Sequence, residues 1–159
     1  MSVKVIIMCG VPGSGKTTRA KEIAKKYNMI HLSSDEYRKK LLGDENDQKH
    51  NSLVFNVLHD DAKLYVEKGH SIILDMCNVT NRDIKGIFKL FKDFKEQPEF
   101  ILWKMSTPIA ECIERDAMRE RTVGPEVIHN FVCKMNNNDV ESFFEKVIRD
   151  HGEKLEDLL

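Results

Sequence analysis

The feature that most narrows what this chain can become is the octapeptide at residues 10–17, GVPGSGKT. It follows the short β-branched run VKVIIMC at residues 3–9 and opens a helical stretch that begins at Lys16. A run of that kind suits a strand buried on both faces of a parallel sheet. Between strand and helix, the glycines let the backbone bend around an anion. The amides of residues 13–17 then point inward, and the helix amino terminus adds about half a positive charge. The pattern G-x-x-x-x-G-K-T is complete, and its strand-before, helix-after context is what separates a phosphate loop from a chance glycine-rich turn. Lys16 is placed to reach β- and γ-phosphates, and the Thr17 hydroxyl to ligate Mg²⁺. Gly13, Ser14, Gly15, Lys16, Thr17 and Thr18 are therefore the candidate nucleotide-binding residues, and ATP with Mg²⁺ is the expected pair of ligands.

The rest of the chain alternates in the same way. Strands are expected at 29–33, 70–75 and 99–105, and helices at 16–27, 35–42, 52–68 and 81–94. Thr107 is expected to cap a further helix, with Pro108 at its first position, running to about residue 121. Pro125 opens another, ending near residue 136. Residues 43–51, GDENDQKHN, read as an exposed polar loop, and residues 143–150 fit either a helix or a last short strand. Alternation of this kind implies an α/β fold: a central parallel sheet of four or five strands with helices on both faces. At 159 residues the chain is expected to form a single domain, with residues 108–136 as a helical lid. Ligands in such folds sit beyond the carboxyl ends of the strands, so functional side chains should follow each strand.

Composition excludes several classes. The formal net charge is −1, so no global field gathers nucleic acid or an anionic membrane. Cys9, Cys77, Cys112 and Cys133 form no C-x-x-C pair and are expected to be buried, reduced thiols. No apolar run reaches membrane length, and no signal peptide and a cytoplasmic location are expected. The six histidines form no metal-ligand spacing, and Trp103 is expected to pack in the core.

After the second strand comes SSDEYR, residues 33–38. Asp35 can accept the proton of an attacking hydroxyl, or it or Ser34 can merely cap the helix. Arg38, three residues on, shares its helix face and can clamp a phosphate on the acceptor. Tyr37 either stacks on a base or packs. Asp75 ends the third strand, where it holds Mg²⁺ through water or orients an arginine or a loop amide. Asn78, Thr80 and Asn81 are candidate caps for the next helix. In ERDAMRERTVGP, Arg115 and Arg119 share a helix face and Arg121 follows. These arginines either close over the nucleotide or form a solvated basic face beside Glu111, Glu114 and Glu120.

Taken in order, GVPGSGKT, SSDEYR, LDMCNVTNR and RDAMRERTVGP resemble the kinase domain of the bacteriophage 5′-hydroxyl polynucleotide kinases, over roughly residues 3–135. The resemblance implies a P-loop kinase fold with residues 146–149 as the last strand. It implies Asp35 as general base on a 5′-hydroxyl and Arg38 as ligand of the acceptor's 3′-phosphate. It also implies that Arg115 and Arg119 contact ATP phosphates, and that Asp75 matters. Lys16, Asp35, Arg38 and Arg119 are the expected catalytic set, and DNA or RNA 5′ ends the expected substrate, in the host cytoplasm if the chain is phage-encoded. Asn78 stands one residue from where the family pattern places an asparagine. No D-x-D-x-T motif is present, so the 3′-phosphatase activity of the best-known members is not expected, nor is their tetramer. The alternative is a P-loop small-molecule kinase acting on a sugar, nucleoside or antibiotic hydroxyl. A nucleotide-binding regulator without acceptor transfer is the third possibility.

Overall fold

The computed structural model describes residues 2–45, 47 and 49–158, so residues 46 and 48 of the expected polar loop lie outside the described residues. Five strands, β1 (Lys4–Cys9), β2 (Ile30–Ser33), β3 (Ile72–Asp75), β4 (Glu99–Met105) and β5 (Lys146–Asp150), form one sheet. The order is β2-β3-β1-β4-β5, and every pairing is parallel. The helices are α1 (Lys16–Tyr27), α2 (Ser34–Leu42), α3 (Asn51–Glu67), α4 (Asn81–Phe91), α5 (Ile109–Ala117) and α6 (Pro125–Asn136).

Side-chain alternation along β1 divides the interior into two layers. Val5, Ile7 and Cys9 face one way and join Leu58 and Ala62 of α3 with Ile84, Ile87 and Phe91 of α4. Ile6 and Met8 face the other way, toward Ala20 and Ile23 of α1, Trp103 and Ile148. Because β1 is central, both of its faces are dry, as its unbroken apolar sequence requires. A third, smaller cluster, Val11, Cys112 and Ile128, joins α5 and α6 to the start of the phosphate loop.

The ambiguous tail forms a strand. Trp103 is fully buried, and its indole N–H needs an acceptor. Asp150, at the end of β5, supplies it at 2.8 Å. The Asp150 carboxylate is also gripped by Arg19 of α1, which ties the outer strand to the helix across the sheet.

Two helices stop earlier than their sequence patterns suggest. α4 ends at Phe91, not residue 94, because Gln97 Nε2 donates to the carbonyls of Phe91 and Phe94. α5 ends at Ala117, not residue 121, because Asp116 draws the amides of Val123 and Gly124 back onto its carboxylate. Strand order reverses at β1, so the loop after β1 opens into the crevice where such sheets bind ligands.

Candidate active site

The phosphate loop is shaped by two left-handed glycines, Gly13 (φ 82°) and Gly15 (φ 93°). A β-carbon on Gly13 would run into the carbonyl of Cys112 in α5, and one on Gly15 would lie 3.1 Å from Arg115 Nη1. These glycines thus permit both the bend and the close seating of α5 on the loop. The start of the loop is fixed from β3: Gly10 N–H donates to the Cys77 carbonyl at 3.0 Å. Asn78 has left-handed backbone (φ 51°) and buries its amide, which donates to the Met8 carbonyl at 2.8 Å. Asn78 therefore braces the loop, and Thr80 alone of the three candidate caps accepts from α4, within a capping box with Asp83.

Lys16 Nζ donates to the Val11 carbonyl at 3.1 Å, curling over the loop, while Thr17 and Thr18 are exposed. The Ser14 hydroxyl is buried without a hydrogen-bond partner. Thr107 does not cap α5. The helix starts one residue later, with Pro108 in the cap position, and the Thr107 hydroxyl donates to the Ser14 carbonyl at 2.7 Å. A loop carbonyl without a backbone partner is the stronger attraction for that hydroxyl than a helix end.

At the end of β2, Ser33 rather than Ser34 or Asp35 caps α2, accepting from Glu36 N–H. Asp35 is therefore released from capping and stands 44% exposed. The Arg38 side chain is only 8% exposed. It donates to Asp35 Oδ1 at 2.9 Å and to Asn51 Oδ1 at 3.2 Å, with its guanidinium 5.8 Å from the Phe55 ring centroid. Tyr37 turns away and donates to Asp61 at 2.6 Å, so it packs. Burial first, then that carboxylate, raise the Tyr37 hydroxyl well above its ordinary pKa.

Asp75 is buried at the end of β3 and shares a 2.7 Å hydrogen bond with His31 Nε2. His31, which carries no sequence signal as a ligand, is thus the partner of this acid, in place of the arginine or loop amide that Asp75 was expected to orient if it did not hold Mg²⁺ through water. The basic segment is also organised by acids. Arg115 pairs with Glu111 and reaches the Ser14 carbonyl at a long 3.4 Å. Arg119 pairs with the buried Asp116 at 3.0 Å. Burial alone would raise the Asp116 pKa, but the Gly124 and Val123 amides and Arg119 outweigh it and hold the acid below the ordinary carboxylate range. Arg121 crosses to Asp35, 3.3 Å away.

All the residues expected to bind nucleotide or acceptor, from Gly13 through Thr18, Asp35, Arg38 and Asp75 to Arg115 and Arg119, line one groove of about 1990 Å³. A single compact ligand fills roughly 300–1,000 Å³. The groove therefore has room for a donor and an acceptor side by side. Among the described residues no three His, Cys, Asp or Glu side chains cluster as a metal site. Magnesium on nucleotide phosphates needs no such cage: an exposed Thr17 hydroxyl with water and phosphate oxygens is a fitting ligand set.

Sequence reading overlooked Asp116 and His31 and gave Thr107 the wrong partner, because the partners of all three are distant in the chain or belong to the backbone. Arg121 was visible in the basic segment but had no assigned contact. Cys9 and Cys112 are buried and Cys77 is half-buried, whereas Cys133 is exposed, contrary to expectation; all four are free thiols. Burial pushes the Cys9 thiol up to about 12. No helix among the described residues is long and apolar enough to cross a membrane.

Sheet order, phosphate loop and flanking helices together define a P-loop kinase fold. A family model described as AAA domain matches residues 5–135, and the chain belongs to that family. The adenylate kinase of Staphylococcus epidermidis is 36% identical over 67 residues, which is 42% of this chain and 26% of that enzyme. The chain thus spans about a quarter of the length of the curated relatives it matches. Among solved structures, the Pnkp1/Rnl/Hen1 RNA repair complex is similar at a TM-score of 0.74 and 17% identity, over 91% of this chain and 47% of that one. A gluconokinase from Sinorhizobium meliloti 1021 is similar at 0.61 and 12% identity, over 98% of this chain and 86% of that one. At these identities the likeness is one of fold.

Proposed function

We propose that the chain transfers the γ-phosphoryl group of ATP to the 5′-hydroxyl of DNA or RNA, with Asp35 as general base. The observation that carries this reading is the Asp35–Arg38 pair at the end of β2, in the same groove as the phosphate loop. A guanidinium that is almost wholly buried beside a candidate base suits an acceptor that brings its own phosphate, and a neutral alcohol has no use for it. The RNA repair complex among the similar structures fits this reading.

The loop amides and Lys16 hold the β- and γ-phosphates. The Thr17 hydroxyl, and Asp75 through water, would hold magnesium, which would supply charge neutralisation on the phosphates. Arg38 fixes the acceptor through its 3′-phosphate. Asp35 takes the proton of the 5′-hydroxyl as its oxygen attacks the γ-phosphorus, the bond to ADP breaks, and the charge spreading over the transferring group is met by Arg115 and Arg119 of a lid formed by α5 and α6. The domain ends of this single unit, sheet and lid, then close around both substrates.

The gluconokinase, matched along nearly its whole length, favours a second reading in which the acceptor is a small sugar, nucleoside or antibiotic hydroxyl. A panel of acceptors incubated with γ-labelled ATP and Mg²⁺ separates the two: a 5′-hydroxyl oligonucleotide, a nucleoside 3′-phosphate, the unphosphorylated nucleoside, and gluconate. Label on the first two is the expected result. Label confined to the neutral nucleoside or gluconate would replace this reading with the second.

A further inference from the structure

Arg121 occupies a position that the roles above leave unused. It lies in the turn between α5 and α6, and its guanidinium reaches Asp35, with Nη1 3.3 Å from Oδ2 and Nη2 3.5 Å from Oδ1. Arg38 already donates to Oδ1 at 2.9 Å. One carboxylate therefore serves two guanidinium groups. Glu45, 3.8 Å from Arg121 Nη1, is the second carboxylate of the cluster and balances its charge at the longest of these contacts. The Arg121 side chain is 20% exposed, and its Nε is buried with no hydrogen-bond partner. The turn that carries it is anchored by Asp116 through the Val123 and Gly124 amides. A second guanidinium and an unused donor thus stand together beside the candidate base, on a chain segment separate from Arg38. That combination is suited to an anion bound from two sides.

We propose that Arg121 is the second arm of the acceptor-phosphate clamp. A phosphate carried by the acceptor takes Arg121 away from Asp35, and the exchange opens Asp35 Oδ2 to the hydroxyl whose proton it receives. An acceptor without a phosphate leaves Arg121 on Asp35 and meets an ion-paired base. Selection for a phosphorylated acceptor then operates twice, once in binding and once in releasing the base. Arg121 also carries the acceptor's arrival to the turn held by Asp116, and so to Arg119, which shares that carboxylate. This inference rests on the phosphoryl-transfer reading and deepens it by naming a second residue that recognises the acceptor's phosphate.

The test compares wild type, Arg121→Ala and Arg121→Lys on a nucleoside 3′-phosphate and on the same nucleoside without the phosphate. Calorimetric titration of the nucleoside 3′-phosphate into each protein, without ATP, runs alongside. The ratio of kcat/KM for the phosphorylated over the plain acceptor is expected to fall roughly 10- to 100-fold in Arg121→Ala, the worth of one charge-assisted hydrogen-bonded contact, with partial recovery in Arg121→Lys. The calorimetric affinity should weaken in parallel. An unchanged ratio with unchanged affinity would overturn the inference, as would an equal loss on both acceptors. If wild type turns over neither acceptor, the phosphoryl-transfer reading fails for these acceptors. The titration then decides on Arg121 separately: weaker binding in Arg121→Ala supports the clamp, and equal binding overturns it.

Discussion

The two ends of the groove are built from different materials. At the phosphate loop the shape is made by backbone: left-handed glycines, inward amides, and a seat against the carbonyl of Cys112. At the end of β2 the shape is made by side chains: a carboxylate held by Arg38 and Arg121, with Asn51 and His31 behind them on Arg38 and Asp75. A backbone cradle binds any phosphate and tolerates almost no change in residue size. An ion-paired cluster can be re-tuned one substitution at a time, because each partner contributes a separable contact. In the proposed reaction, the donor end would therefore be generic and the acceptor end would set specificity.

The contrast is sharpest at Gly13. Gly13→Ala forces a β-carbon into the Cys112 carbonyl at a left-handed position, and ATP binding is expected to fall below detection in a fluorescent-nucleotide titration. Binding at near wild-type strength would mean that the loop is less tightly seated than its geometry indicates. Next in size is Asp116→Ala. It strips acceptors from two backbone amides and from Arg119, and should cost about 2–4 kcal/mol in denaturant unfolding, with the α5–α6 turn losing amide-exchange protection first. The same carboxylate gives a pH signature. Its folded pKa is held below the ordinary value, so its contribution is complete above the unfolded pKa of about 4 and is lost as pH falls through the lower folded value. Exchange protection of Val123 and Gly124 followed by NMR should decline in that acid window and be flat above it. Thr107→Ala removes a single hydroxyl from the Ser14 carbonyl and should cost about 1 kcal/mol. The smallest effect is chemical: Cys133 should react readily with a thiol reagent in the native protein while Cys9 resists it until unfolding.

The same division governs what could be read from the sequence. The phosphate loop is a local pattern, and the strands are apolar runs whose burial follows from their composition, so the sheet and the shape of the loop were legible. Asp35 and Arg38 were legible because three residues on a helix bring them together. The missed contacts are tertiary. His31 and Asp75 lie 44 residues apart, and Arg121 and Asp35 lie 86 apart, joined only once the sheet order is fixed. The overrun of α5 has a similar cause. RDAMRER continues a helical pattern without a stop signal, and the stop is imposed by amides that arrive from downstream. The last strand was undecided because its apolar residues, Val147 and Ile148, are too few to show a period. Its register against Trp103, and the acceptor that Asp150 gives the indole, decide it.

The central claim, that Asp35 removes the acceptor's proton and has no part in holding the nucleotide, is tested most directly by measuring two quantities on Asp35→Ala. One is the single-turnover rate of γ-phosphate transfer to a 5′-hydroxyl oligonucleotide, and the other is the dissociation constant of ATP with Mg²⁺. The expected result is a rate lower by about 10²- to 10⁴-fold with ATP affinity within a few-fold of wild type. A rate that survives the substitution, or a loss that follows ATP affinity, would contradict it.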